Sequence, residues 1–479
     1  MPAAQAAETL GLGEAIRQAL ASHPELTLNR IDSDIAATET LRIEGQLDPV
    51  VTASIGATDD KSPVASSFQP SRTVSGQLNA GISKPLANGD TVGASLAYNR
   101  ARQSFSNPVA AQFALVNPAY RGQIDLNYRH PLLRGNDRPD YGDALQAAED
   151  DVKASRLQRR TIARTLALQI TNAYYQFASD HIQLRLAEQA VARAERLLNY
   201  QAFRERFGLI ETSDRLQARA LLEARRLDQA QAEAQLETDR TALNRLLLAA
   251  PDRPIEPAMP GNVTEQAPTD FEQLVDTASR KRPEFTILDT RQAAAEARLQ
   301  QAMDTERSQL DLVAQLGSRS LDSRPGSAAG QAFGAANHYA QLSLEFSDAL
   351  GNNSARAGIR KAELSRSRIV EERRQTMEVV RDDIARTWTS LKSGIPAYRQ
   401  ARLRVEAEKR KLDAELKRYR EGRSDTATVV QFEGDLSNAE RQAELLGVSL
   451  NLAEKQLAWA QGTLLDGLGI GPELAGAVQ

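Results

Sequence analysis

The sequence predicts a mainly α-helical chain with a transmembrane β-barrel portion, built as two structural repeats. Three observations support this fold class. Long proline-free stretches carry apolar residues at alternating spacings of three and four, which is typical of packed helices. Six short segments alternate apolar and polar residues, as the strands of membrane barrels do. The two halves of the chain also share recognisable stretches of sequence.

The similarity between the halves sets the predicted domain boundaries. Residues 14–28 resemble 273–287 at a spacing of 259, whereas residues 170–174 resemble 384–388 at a spacing of 214. The first half is therefore longer by 259 − 214 = 45 residues, inserted between its first helix and its long helix. A proline-rich stretch, which cannot be a helix interior, separates the halves. The predicted segments are a first repeat at 8–250, a linker at 251–269, a second repeat at 270–463 and a C-terminal tail at 464–479.

Each repeat is predicted to contain a short helix, then barrel strands, then a long helical hairpin. The strands fall at 50–130 and 309–347, and the hairpins at 137–250 and 350–463. Residues 143–207 lack proline and would form a helix roughly 100 Å long at 1.5 Å per residue. Its apolar residues form a coiled-coil seam, with alanine allowing close approach of the backbones. The seam residues are Leu184, Ala187, Val191, Ala194 and Leu198.

The ends of the hairpin helices have local signals. Gly208 is expected to end the first long helix and Gly422 its counterpart in the second repeat, because glycine adopts the left-handed conformation that closes a helix. Thr212 or Ser213 is expected to cap the helix that follows the first turn. Pro396 is expected to kink the long helix of the second repeat.

Six segments of about ten residues show the alternation of a barrel strand, with one apolar and one polar face. A half-buried soluble antiparallel sheet would alternate in the same way. The connections favour the membrane interpretation, because residues 59–72, 100–121 and 318–338 are long and polar whereas 86–90 is a tight Asn-Gly turn. The apolar positions are Val51, Ala53, Ile55, Ala57; Val74, Gly76, Leu78, Ala80, Ile82; Val92, Ala94, Leu96, Tyr98; Ile124, Leu126, Tyr128; Leu310, Leu312, Ala314, Leu316; and Ala340, Leu342, Leu344, Phe346.

Composition and motifs give no indication of an enzyme. The chain has no cysteine, and its four histidines lie in four different segments without metal-ligand spacing. Nucleotide-binding and serine-hydrolase signatures are missing, so no catalytic residue, metal or cofactor is predicted. A net charge of −4 gives no reason to expect a nucleic-acid partner. The first residues lack both a basic and an apolar signal region, so either there is no secretion signal or the numbering starts at a mature form.

The sequence resembles the TolC family of outer-membrane export ducts over nearly its whole length. The resemblance rests on the repeated opening EAIRQALASHPEL and QLVDTASRKRPEF, on YRHPLLRG at 128–135 and on ITNAYYQF at 170–177. The turn RFGLIETSDRLQAR at 206–219 and its counterpart RYREGRSDTATVV at 418–430 complete the set. No single motif is diagnostic, but five in the right order across two repeats favour this family.

The resemblance implies a homotrimer in the outer membrane of a Gram-negative bacterium, in contact with its lipid. Each subunit would give strands to one shared β-barrel and helices to a trimeric α-helical barrel, a coiled-coil tunnel in the periplasm. Such ducts work with an inner-membrane transporter and a periplasmic adaptor, a membrane fusion protein, to export drugs, metals or proteins. Six strands are too few to close a wide pore, which agrees with several chains combining.

One departure from the family concerns the number of strands. Family members usually give four strands per subunit, whereas this sequence predicts six. The 45 extra residues can hold an added hairpin at roughly 74–98. Either the hairpin enlarges the shared barrel to eighteen strands, or it lies outside a barrel of twelve.

The resemblance also implies a periplasmic gate at the turns of the two helical hairpins. Polar links between the tips would hold the tunnel closed, and the matching positions are Asp214 and Tyr419. Arg423 directly follows Gly422, whereas the family arginine follows that glycine by two residues. Some relatives carry a ring of aspartates one and two turns into the last helix. Here those positions are Thr428 and Gln431, so no acidic ring is expected, although Asp425 lies close by.

Two rival interpretations remain at the level of sequence. The gate residues could be ordinary solvated turn residues, with Asp214 in the first turn of a helix. A soluble coiled-coil scaffold would explain the helices but not six amphipathic strands with long polar loops. Drug efflux and type I protein secretion are both open, as are the exported substrate, the transporter class and the open or closed resting state.

Overall fold

The structure is a computed structural model of the chain. Among the residues that it describes, none of the helices is both long and apolar enough to cross a bilayer. The described residues are 8–207, 211–259, 261, 263, 266–334 and 337–471.

The chain folds into two compact units, each assembled from segments that are distant in sequence. The first unit is formed by Met1–Ser33, Ala154–Asp289 and Glu371–Gln479. The second is formed by Asp34–Lys153 and Thr290–Val370. The predicted repeat and linker boundaries stay a prediction, because these units describe spatial compactness and not sequence duplication.

Helices make up most of the chain, as the spacing of apolar residues predicts. The two longest helices, α4 and α9, each have 68 residues, and the two that follow them, α5 and α10, each have 35. Equal lengths are what an internal duplication produces. The helices are α1 (Leu12–Ser22), α2 (Pro24–Glu44), α3 (Pro108–Gln112), α4 (Pro139–Arg206), α5 (Thr212–Leu246), α6 (Phe271–Lys281), α7 (Pro283–Glu306), α8 (Pro325–Phe333), α9 (Asn353–Arg420), α10 (Thr426–Ala460) and α11 (Leu464–Gly467).

The helix ends agree with the sequence signals at some positions and not at others. Gly422 follows α9 with a φ of +73°, the conformation that glycine adopts readily. Gly208 lies outside the described residues. The capping prediction for α5 is wrong: Thr212 is already helical, and Glu211 occupies the cap position, where its side chain makes no capping hydrogen bond to the helix backbone. Pro396 lies inside α9, which continues on both sides of it.

The first unit has an aliphatic and aromatic core. Ile170, Phe177 and Leu243 are at most 2% exposed, and they pack in one cluster with Ile16 of α1 and Ile255. Of the predicted coiled-coil seam, Ala194 is fully buried and the other four residues are partly buried. Alanine therefore occupies the most buried position of the seam.

The second unit contains one antiparallel sheet of six strands in the order β2-β3-β4-β5-β7-β8. A separate pair, β1 and β6, is parallel and belongs to the first unit. All six alternating segments of the sequence are strands of the larger sheet. The strands are β1 (Glu8–Leu10), β2 (Val50–Asp60), β3 (Arg72–Pro85), β4 (Thr91–Ser104), β5 (Ala119–Pro131), β6 (Ile255–Pro257), β7 (Gln309–Asp322) and β8 (His338–Ser347).

The connections of the sheet are unequal at its two ends. Three long connections, at 61–71, 105–118 and 323–337, join strands at one end. At the other end β3 and β4 are joined by a tight turn in which Gly89 has a φ of +94° and the Leu86 amide donates to the Asp90 carbonyl at 2.8 Å. The predicted Asn-Gly turn is therefore confirmed. The other strand ends at this side continue into helices.

Candidate functional site

One face of the sheet is apolar across all six strands. The register aligns Ile55 of β2 with Leu78 of β3, and Leu126 of β5 with Leu316 of β7. The apolar residues of every strand thereby fall on the same side. Many of them stay exposed, with Ile55 at 87% and Leu342 at 71%. A continuous exposed apolar surface of this kind marks contact with lipid or with another protein.

The opposite face of the sheet carries polar groups that satisfy one another. Asp125 is only 6% exposed and accepts hydrogen bonds from the Tyr339 hydroxyl and, at 2.7 Å, from the Gln123 amide. The Tyr339 ring covers Gly317, where a Cβ would lie 2.6 Å from the ring. The Arg319 guanidinium lies 4.1 Å from the centre of the same ring, a cation–π contact. The polar face can therefore contact water, and the buried Asp125 carboxylate still keeps its hydrogen-bond partners.

The end of the second helical hairpin is held by a buried polar group of three residues, the tip triad. Gln201 of α4, Tyr419 of α9 and Thr426 of α10 are each at most 2% exposed. The Gln201 amide donates to the Tyr419 hydroxyl and, at 3.0 Å, to the Thr426 hydroxyl. The Tyr419 and Thr426 hydroxyls lie 3.1 Å apart. These bonds join the end of α9 and the start of α10 to α4.

Charged groups extend the contact between α4 and α10 beside the triad. Arg193 of α4 bonds the Glu433 carboxylate, the Ser437 hydroxyl at 3.0 Å and the Glu440 carboxylate at 3.1 Å. Arg204 lies 5.3 Å from the centre of the Tyr419 ring. A cavity of about 460 Å³ lies among α4, α5, α9 and α10 next to these groups. Polar contacts therefore help to hold this end of the helices, beside the cavity and buried apolar residues such as Val429 and Leu436.

The residues that the sequence predicts for the gate lie around the two hairpin turns. Within this chain, Tyr419 is buried in the tip triad, and no hydrogen bond or ion pair joins Asp214 to Tyr419 or to Arg423 in the part that the structure describes. Asp214 is half-buried in the first turn of α5. Arg423 is exposed and pairs with Glu421. The gate role of these residues stays a prediction.

The remaining predicted positions lie at the start of α10. Asp425 is the N-cap, and its carboxylate accepts hydrogen bonds from the Thr428 amide at 2.8 Å and the Thr428 hydroxyl at 3.1 Å. These bonds lower the pKa of Asp425. Gln431 is exposed. Asp425 and Thr428 are therefore occupied in starting the helix.

Sequence reasoning missed Gln201 and Arg193, which bind the two hairpins together. Both lie on α4 among many similar polar residues, and their partners are 218 to 247 positions further along the chain. A local pattern carries no information on partners at that distance. The one available signal is that Gln201 lies seven residues after Ala194 of the coiled-coil seam, on the inward side of the helix.

Comparisons with known proteins agree with this geometry. Residues 137–247 match the family model of the outer membrane efflux protein. The outer-membrane channel OprN shares the fold with a TM-score of 0.67 at 18% identity, over 94% of this chain and 90% of that chain. VceC from Vibrio cholerae gives 0.65 at 16%, over 94% and 96%. CmeC from Campylobacter jejuni gives 0.64 at 16%, over 95% and 86%. Among curated protein sequences, none matches.

At these identities the solved structures show the fold, and the family match covers the first helical hairpin. The resemblance to TolC-like outer-membrane efflux proteins is confirmed, as is a mainly helical chain with a sheet portion. The family and the structural neighbours are channel proteins and not enzymes.

Proposed function

We propose that this chain is one of three identical subunits of an exit duct that crosses the outer membrane and the periplasm of a Gram-negative bacterium. The duct serves efflux or secretion together with an inner-membrane transporter and a periplasmic adaptor. The observation that carries the proposal is the register of the six-stranded sheet, which gathers the apolar residues of every strand on one exposed face.

The two faces of the sheet suit the two sides of a pore wall. The apolar face meets lipid, and the polar face, with Asp125 and Tyr339, borders water. In outer-membrane barrels the long loops lie on the extracellular side. The strands of this sheet lead into the long helices at the opposite end, so we assign these helices to the periplasm. Backbone groups at the two edge strands find partners only when copies of the chain close the sheet into a barrel.

Passive transport needs a wide path and a way to close it. We place the gate at the hairpin turns, where Asp214 and Arg423 retain exposed surface that can meet a neighbouring subunit. The tip triad fixes the end of the second hairpin, so that Arg423 is presented from a defined position. A polar link at a wet surface is weak enough to break when an adaptor docks.

Membrane insertion is tested by a matched pair of substitutions on β8. Leu342→Arg places a charge on the apolar face, and we expect it to cost about 2–4 kcal/mol at mid-bilayer and to deplete the outer-membrane fraction. Gln341→Arg changes the adjacent residue, which faces the other way, and should leave that fraction unchanged. Equal behaviour of the two variants, or recovery of the parent chain as a soluble protein, would contradict the proposal and favour a soluble scaffold.

The gate is tested by conductance. Asp214→Ala and Arg423→Ala should each raise the conductance of the reconstituted protein in planar bilayers, and Glu211→Ala, an exposed neighbour, should not. Unchanged conductance in both variants would remove these residues from the gate. Crosslinking in cells, followed by identification of the inner-membrane partner, separates drug efflux from type I protein secretion.

A further inference from the structure

The two repeats of the chain contribute unequally to the sheet. The second repeat supplies one hairpin, β7–β8, whereas the first supplies four strands, β2 to β5. The surplus is the hairpin β3–β4. We infer that this hairpin is part of the pore wall, so that three copies of the six-stranded sheet close into a barrel of eighteen strands. The inference rests on the proposed trimeric duct and specifies the width of its outer-membrane section.

The strand order shows where the hairpin β3–β4 lies within the sheet. β3 pairs with β2 from Val50–Ser83 to Asp60–Thr73, and β4 pairs with β5 from Thr91–Arg129 to Ala101–Ala119. β2 and β5 are therefore separated by the hairpin along their length. A hairpin lying outside a narrower wall would instead leave β2 paired with β5.

The turn of the hairpin is fastened to the junction between β5 and α4. Asp90 is 7% exposed; its carboxylate lies 2.6 Å from His130 Nδ1 and accepts hydrogen bonds from the Tyr128 hydroxyl at 2.9 Å and the Asn88 amide at 2.8 Å. Burial alone would raise the pKa of Asp90, but these hydrogen bonds outweigh it and hold the pKa below its ordinary value. The carboxylate thus stays charged and bound at neutral pH.

Glycine permits a second contact of the same turn. A Cβ on Gly89 would lie 2.4 Å from the Gly135 carbonyl oxygen, so the turn approaches the start of the helical segment more closely than any other residue allows. The hairpin is therefore held both along β5 and at its turn. A hairpin that lay outside the barrel would not need both contacts.

The apolar face of the hairpin also suits contact with lipid. Leu78 and Ile82 of β3 are 44% and 47% exposed, and they continue the apolar surface of β2 on one side and of β4 on the other. Outside the wall these side chains would face water or need a separate cover. Within the wall they complete an uninterrupted apolar band.

The edges of the sheet permit closure by identical copies. Because the sheet has six antiparallel strands, its edge strands β2 and β8 run in opposite directions. β8 of one subunit can thus pair with β2 of the next in the antiparallel manner that the rest of the sheet uses. Barrels of 16 to 18 strands leave an aqueous channel, so the added hairpins widen the outer pore.

Engineered disulfides test the wall position, and the cysteine-free sequence gives a clean background. Ala53, Ala80, Leu96 and Ile124 lie at one level on four successive strands. In outer membranes containing the full chain, the pairs Ala53→Cys with Ala80→Cys and Leu96→Cys with Ile124→Cys should form disulfides within one chain. Ala53→Cys with Ile124→Cys should not, because three strand spacings put these positions about 14 Å apart, beyond disulfide reach. A disulfide in that third variant would overturn the inference.

A second measurement uses the unmodified protein, so that misfolded variants cannot decide the result. Eighteen strands in a map of the detergent-purified trimer support the inference, and twelve overturn it. Failure of the proposed function is distinguishable from this outcome. If Ala53→Cys forms no disulfide between subunits when combined in turn with cysteine at Ala340, Leu342 or Leu344 of β8, the shared barrel itself is wrong, whatever the disulfides within one chain show.

Discussion

Replacing Glu284 by alanine should destabilise the first unit far more than an ordinary surface substitution. Glu284 lies in the first turn of α7 and accepts hydrogen bonds from Arg164 Nη1 at 2.7 and 2.9 Å and from Arg282 Nη2 at 3.1 Å. The two arginine side chains are only 8% and 6% exposed. Both also lie over Trp459, at 5.5 and 5.3 Å from its ring. Without the carboxylate the buried Arg164 guanidinium loses its ion-pair partner, while Arg282 keeps Asp383 at 3.5 Å. Breaking a buried ion pair in this way typically costs about 3–5 kcal/mol.

The internal duplication supplies the control for this experiment. Glu25 occupies the corresponding position in the first repeat, in the first turn of α2, but it is exposed. Glu25→Ala loses only the interaction of an acid with the helix N-terminus, about 0.3–1 kcal/mol. Both variants change the same residue type in the same local sequence, Pro-Glu. The difference between them therefore isolates the buried arginine pair.

The assay is denaturant unfolding of the purified protein, followed by the helical circular dichroism signal at pH 7. The midpoint should fall clearly for Glu284→Ala and little for Glu25→Ala, with the slope unchanged. Although burial opposes it, attraction by Arg164 and Arg282 lowers the pKa of Glu284. Its contribution is therefore complete above the ordinary pKa and is lost only as the pH falls through the lowered one. Equal midpoint shifts for the two variants at pH 7 would refute the reasoning.

Three further substitutions test other parts of the chain. Burial and the neighbouring Asp239 raise the pKa of Asp180 to about 7, so native stability should fall as the pH rises from the ordinary aspartate pKa of about 4 to about 7, and Asp180→Asn should raise the unfolding midpoint more at pH 8 than at pH 5. Gln201→Leu removes two hydrogen bonds from the tip triad and should cost about 1–3 kcal/mol, seen as faster protease cleavage at the hairpin ends. Gly317→Ala puts a Cβ 2.4 Å from the Asp125 carboxylate and should reduce the folded yield, while Gly76→Ala, with 3.9 Å of room, should not.

Local signals were enough to predict the strands and the helices. Alternation in segments such as Leu342–Phe346 depends only on which face each residue occupies, and an Asn-Gly pair sets its own turn. The order of the strands was harder to predict. Apolar and polar residues alternate in the same way in a strand within the barrel wall and in a strand outside it. Only the pairing of Ala53 with Ala80 and of Leu96 with Ile124 distinguishes the two positions of the added hairpin within the chain.

Less of the candidate site than of the fold could be predicted from the sequence. The turns themselves are marked by glycine and by the acidic cap Asp425, which are local features. The contacts that hold the turns are not local, because Gln201 meets Tyr419 and Thr426 from another repeat. Within the part of the chain that the structure describes, no side chain pairs with Asp214, so the sequence pattern predicts a gate position without indicating what it binds.

The duplication repeats the backbone plan while changing the chemistry at each tip. At the 214-residue spacing, Tyr419 corresponds to Glu205, which pairs with Arg215 at 2.6 Å. Both side chains of that pair are about a third exposed, so salt can screen the first tip. The second tip is held by hydrogen bonds among buried groups, Gln201 and Thr426 with Tyr419, which salt does not screen, and by the ion pairs of Arg193 beside them. Among the described residues, the two hairpins of equal length are thus held at their ends by different kinds of contact, a partly exposed ion pair at the first and a buried hydrogen-bonded group at the second.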